Sequence, residues 1–152
     1  MSTCAHDRKA SPYHSLQIVK TMLIRVYYED TDSGGVVYYA NYLRFLERAR
    51  TELVRTFGVS QQALLEDDGI AFAVRSASIE YLKPARLDDE LQVITRIESL
   101  GRAQVVFEQQ IERNGEILVT AKIRVACLDM SKGKAAAMPK SIHEKFKELQ
   151  EH

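Results

Sequence analysis

From residue 42 to residue 57 apolar side chains return every three or four positions: Tyr42, Leu46, Ala49, Leu53 and Phe57, with Leu43 and Phe45 beside them. Arg44, Arg48 and Glu52 point elsewhere on the same cylinder. This period predicts an amphipathic helix of about four to five turns. Asn41 is placed to cap its start and Gly58 to end it. One face is almost wholly apolar, so an equally extended element must cover it.

The C-terminal half of the chain can supply that cover. After the polar connection Asp67-Asp68-Gly69 come four strand-like runs. The first covers residues 70–81, and Leu91, Val93, Thr95 and Ile97 alternate in the second. Ala103, Val105, Phe107 and Ile111 share one face of the third. In the fourth, Ile117, Val119, Ala121, Ile123, Val125 and Cys127 alternate with Thr120, Lys122 and Arg124. Asn114-Gly115, between the third and fourth, is a strong hairpin signal. Another run, residues 22–28, precedes the helix. Strands joined this closely are antiparallel.

The order predicts an α+β architecture, the hotdog fold: a five-stranded curved antiparallel sheet wrapped around one long central helix, plus a short C-terminal helix. Ser141 and Glu144 are spaced as a capping box for that last helix, whose apolar stripe is Ile142, Phe146 and Leu149. His143 falls on its surface. An open sheet keeps free edges, which predicts a homodimer or homotetramer.

A chain of 152 residues, 45% hydrophobic and 28% charged, buries a core without a disulfide or metal. Residues 1–21 read as a flexible tail and 22–150 as a single domain. With 21 basic and 21 acidic side chains, no basic excess points to nucleic acid. Cys4 and Cys127 form neither a disulfide framework nor a metal-ligand spacing; Cys127 reads as a small core residue. His6 and His14 read as tail residues, not ligands. There is no apolar run long enough for a transmembrane helix and no signal-peptide core, so the expected location is cytoplasmic. Nucleotide-binding and common hydrolase motifs are absent.

The chemistry concentrates between the first strand and the long helix, in Tyr27-Tyr28-Glu29-Asp30-Thr31-Asp32-Ser33-Gly34-Gly35-Val36-Val37-Tyr38-Tyr39. One reading is a helix-capping turn, with aspartates accepting backbone N–H bonds. A calcium loop begins similarly, but Gly34 and Asn41 stand where oxygen ligands belong. The third reading is a reaction centre: a carboxylate attacks a carbonyl or activates water, while free amides at a helix start stabilise the oxyanion. The glycines, Gly35 among them, let the backbone approach a substrate closely.

The stretch from Arg25 to Leu43, followed by Glu47-Arg-Ala-Arg50, resembles the hotdog acyl-CoA thioesterases of the hydroxybenzoyl-CoA thioesterase group. Within that group it is most similar to the branch encoded beside Tol-Pal genes. Tyr81-Leu-Lys-Pro-Ala-Arg-Leu-Asp-Asp89 and Met138-Pro-Lys-Ser-Ile142 extend the likeness, which spans about residues 22–146. The resemblance implies hydrolysis of an acyl-CoA to a free acid and coenzyme A, with Asp32 as nucleophile or general base. It implies that Asp30 holds the turn and that Tyr28 positions the carboxylate or substrate. It implies an oxyanion site at the Tyr39 backbone N–H, with Tyr38 beside it. Position 39 is histidine in that branch and tyrosine in the hydroxybenzoyl branch, so an imidazole role does not transfer.

Glu47 matches the helix glutamate that another hotdog branch uses as its carboxylate, but Arg44 and Arg50 are spaced to hold it in an ion pair. For the coenzyme A phosphates the candidates are Arg102, then Lys132 and Lys134, each also readable as solvated surface. No metal or bound cofactor is implied, coenzyme A being part of the substrate. The resemblance also suggests acyl carrier protein as a partner. The alternative function is a non-catalytic hotdog domain that binds acyl-CoA or acyl carrier protein. A hotdog dehydratase would rely on a histidine in this region, and none is present.

Overall fold

The computed structural model describes residues 16–151. In chain order they form β1 (Ile18–Arg25), a 3-10 turn (Tyr28–Asp30), helix α1 (Tyr39–Arg55), a short helical stretch over residues 61–68, β2 (Ile70–Tyr81), β3 (Glu90–Leu100), β4 (Gln104–Arg113), β5 (Glu116–Asp129), β6 (Lys134–Ala135) and helix α2 (Lys140–Glu151). The sheet order is β1-β3-β4-β5-β2, antiparallel throughout, with β6 added to β5. This is the expected hotdog arrangement of five main strands around one long helix.

Tyr42, Phe45, Leu46, Ala49 and Leu53 of α1 are fully or nearly fully buried, as the helical period requires. Register builds the facing wall in layers. Ile97, Phe107 and Ile123 align in one layer, Thr95, Gln109 and Ala121 in the next, and Val93, Ile111 and Val119 in the third. Cys127 lies in the same core, and burial raises its thiol pKa. Asn114 and Gly115 both have positive φ, 52° and 81°, the backbone of the tight hairpin that their sequence announced.

Three local expectations are corrected. The first strand is shifted towards the N-terminus: it starts at Ile18 and ends at Arg25, so residues 18–21 belong to the sheet instead of a tail. Its partner decides this. The ladder runs from Ile18 opposite Arg96 to Arg25 opposite Glu90, where β3 begins, and Tyr27 and Tyr28 have no strand left to pair with. Second, α1 starts at Tyr39, so Asn41 lies in its first turn instead of capping it. Third, α2 starts at Lys140, and the amides of Ile142 and His143 both donate to the Pro139 carbonyl. Ser141 therefore sits inside the first turn, not at a capping box. The remaining tail expectations, including Cys4, His6 and His14, fall outside the described residues.

Candidate functional site

The segment from Asp30 to Tyr38 folds back on itself. The Asp32 amide donates to the Val36 carbonyl at 2.9 Å and the Gly35 amide to the Asp32 carbonyl at 3.1 Å. Thr31 bridges Val37, and the Tyr38 amide returns to the Asp30 carbonyl. This small loop is fastened to the β2–β3 connection: Val37 N–H donates to Ala85 O, and Leu87 N–H donates to Gly35 O. Gly35 has φ +78°, a left-handed backbone that a side chain resists. Space is tight at Gly34, where a Cβ would meet Asp32 Oδ1 at 3.3 Å.

The two aspartates play different parts. Asp30 is buried; its Oδ2 accepts from the Tyr27 amide at 2.9 Å, and its carbonyl accepts from the Asn41 side-chain amide at 2.8 Å. Asn41 thus ties the loop to the first turn of α1, a role its capping chemistry in the sequence did not reveal. Asp32 is exposed, and its Oδ1 accepts from Gly34 N–H at 2.8 Å and Val36 N–H at 3.4 Å. Its Oδ2 accepts no bond from any described residue. One oxygen is held and the other is free of described partners on an exposed residue.

At that start the first helical amides, Tyr39 and Ala40, have no carbonyl four residues back within the helix. Tyr38 is the residue before it, with φ −68° and ψ 137°. The Tyr39 side chain is 69% exposed and its ring lies on Tyr81, centroids 4.8 Å apart. Tyr81 also faces Tyr42, whose hydroxyl accepts from Ala85 N–H at 2.9 Å. Burial raises the Tyr42 pKa, so that phenol stays protonated. Tyr28 is 81% exposed and makes no side-chain hydrogen bond to Asp32; its contribution is the carbonyl that accepts from Thr31.

Asp30→Asn tests the bracing role. Replacing its carboxylate weakens a charge-assisted bond to the Tyr27 amide inside a buried turn. The expected loss is about 1–2 kcal/mol of stability, read as a lower denaturation midpoint. The loss in the single-turnover rate should be much smaller than for a change at Asp32.

The other candidates are spread out. Glu47 forms no ion pair with any described residue: its carboxylate accepts from the Thr51 hydroxyl, which in turn accepts from Gln61. Arg48 lies over the Phe45 ring, and Arg50 turns inward, so the expected ion pair is replaced by a local hydrogen bond. Arg102 is exposed in the β3–β4 turn, and Lys132 and Lys134 are exposed around the β5–β6 turn. Asp32 sits at the other end of the sheet, beside the β2–β3 connection. The length of β3, roughly 34 Å, separates the two ends, so one chain does not bring these cations to Asp32. Arg86, whose backbone bridges Val36, is an exposed cation beside the loop.

Sequence reasoning missed a cavity of about 90 Å³ between α1 and the sheet. Its lining includes Glu47, Arg50, Phe72, Val105, Phe107 and Phe146. Arg50 is 9% exposed, and its Nη1 donates to Gln109 Oε1 at 3.0 Å. Gln109 donates through Nε2 to the Leu46 carbonyl and the Thr95 hydroxyl, which fixes its oxygen towards Arg50. Burial lowers the Arg50 pKa to about 10 against the pull of Glu47, so the guanidinium stays charged at neutral pH. The signal was in the sequence: Gln109 interrupts the inward apolar face of β4, and Arg50 follows the core residue Ala49.

Among the described residues no group of three or more His, Cys, Asp or Glu is placed to hold a metal ion. None of the described helices is long and apolar enough to cross a membrane. The sequence profile of the thioesterase-like superfamily matches residues 26–146. The chain is 48% identical over 126 residues to the acyl-CoA thioesterase YbgC of Haemophilus influenzae, covering 83% of this chain and 93% of that protein. It is 49% identical over 126 residues to the acyl-CoA thioester hydrolase YbgC of Escherichia coli O6:H1, covering 82% and 93%. The crystal structure of a probable thioesterase from Bartonella henselae superposes with TM-score 0.74 at 38% identity, covering 78% of this chain and 98% of that one.

Proposed function

The chain belongs to the thioesterase-like superfamily, and on that premise we propose that it hydrolyses acyl-CoA thioesters with Asp32 as the reacting carboxylate. The observation that carries this is the asymmetric hold on Asp32: Oδ1 is fixed by two amides, while Oδ2 accepts no bond from any described residue. A carboxylate whose orientation is already set loses less freedom on reaching the transition state. The Tyr39 amide supplies the oxyanion donor, a backbone dipole that needs no reorganisation as charge develops on the thioester oxygen.

Two routes use the same atoms. In one, Asp32 Oδ2 attacks the thioester carbon, the coenzyme A thiolate leaves, and water hydrolyses the mixed anhydride. In the other, Asp32 takes a proton from water as that water attacks. Single turnover in heavy-oxygen water labels the Asp32 carboxylate only in the first route, when water attacks the aspartyl carbon of the anhydride, so label found there establishes that route. Arg86 is the proposed contact for a coenzyme A phosphate from the same chain. No metal or bound cofactor is part of this proposal.

The working unit we propose is at least a homodimer. Among the described residues β2 ends the sheet with an unpaired edge. Val74, Tyr81 and Leu82 are exposed along and just beyond it, as are Tyr39 and Leu43 on α1. A second copy of the chain covers these exposed apolar side chains and brings a second sheet end near each Asp32. Light scattering should give at least twice the chain mass. A monomer with full thioesterase turnover overturns this part.

A further inference from the structure

Among the described residues Arg50 has one hydrogen-bond partner, Gln109, and no carboxylate at ion-pair distance, although it is nine-tenths buried. A buried charge left this way is unfavourable unless something else engages it. Arg50 and Glu47 both line the cavity, and Phe72, Val105, Phe107 and Phe146 make most of the opposite wall apolar. Arg50 lies eleven residues beyond Tyr39 on α1, about 16 Å along the helix axis. Positions 39, 43, 47, 50 and 54 form one stripe at helical spacing, with Leu43 and Glu47 exposed between the two ends.

We infer that this cavity receives the far end of the acyl group and selects for a neutral hydroxyl there. The inference rests on the reading that the thioester is cleaved at Asp32. A hydroxyl both accepts and donates, so it engages Arg50 as acceptor and Glu47 as donor. A methyl terminus packs on the apolar wall and adds no acceptor for Arg50 beyond Gln109. A carboxylate gains Arg50 but meets the negative charge of Glu47.

The test compares dodecanoyl-CoA with its ω-hydroxy and ω-carboxy counterparts, and the same set at shorter chain lengths. At the preferred length the hydroxyl-terminated substrate should have a kcat/KM about tenfold above the other two, the scale of one hydrogen bond to a charged group. In Glu47→Gln the carboxylate-terminated substrate should gain about tenfold relative to the hydroxyl-terminated one. In Arg50→Leu the preference for the hydroxyl should vanish. Should that variant fail to fold, the wild-type ratio and the Glu47→Gln shift still decide.

Calorimetry separates this inference from the catalytic one. The free ω-hydroxydodecanoic acid should bind Asp32→Asn more tightly than dodecanoic acid does, whether or not that variant turns over. Equal binding of the two acids, or wild-type preference for the methyl terminus at every length, overturns the inference.

Discussion

Asp32→Asn lowers the turnover of acyl-CoA thioesters by roughly two to four orders of magnitude, the usual scale for removing a nucleophile or general base. The structure makes this a clean substitution. Asparagine keeps an oxygen at the Oδ1 position, where the Gly34 and Val36 amides donate. Only Oδ2, which no described residue engages, changes to an amide nitrogen. Stability should therefore stay within about 0.5 kcal/mol, as for other exposed positions. Thiol release measured across an acyl-CoA panel, together with the denaturation midpoint, checks both halves. Near-wild-type turnover in the folded variant would refute Asp32 as the reacting group and turn attention to Glu47, an exposed carboxylate on α1.

At Tyr39 the amide and the side chain can be tested apart. Tyr39 is the first residue of α1, where proline is well tolerated because that N–H has no intrahelical partner. Tyr38 already has the extended backbone that a proline at the next position demands. Tyr39→Pro thus deletes one amide proton with little strain, and its expected effect is a loss of about 10²–10³ in kcat. The ring's contact with Tyr81 is lost too, so Tyr39→Ala is the control: it removes the ring and keeps the N–H. Tyr39→Phe and Tyr39→His should stay within about tenfold of the wild type and alter acyl preference instead, because pocket contacts are worth only about 1–3 kcal/mol each. A folded Tyr39→Phe as inactive as Asp32→Asn would make the phenol a catalytic group.

The periods of 3.6 and 2 are properties of neighbouring residues, so the long helix, the four strands after it and the Asn114-Gly115 hairpin were legible in the sequence. The turn chemistry of Asp30 to Gly35 was legible for the same reason, since an aspartate bonding amides two and four residues on is a local event. Three features depended on distant partners. β1 took residues 18–25 because β3 offered a partner there and stopped offering one at Glu90. Asn41 became a tie to Asp30 because the returning loop placed a carbonyl within its reach. Arg50 was drawn under α1 by Gln109, a residue 59 positions away. The separation of Arg102 and Lys132 from Asp32 was likewise settled by which end of the sheet each turn occupies. Local periodicity decides what a segment becomes; the energy of burying a charge or completing a ladder depends on what packs opposite it, and only the tertiary fold supplies that.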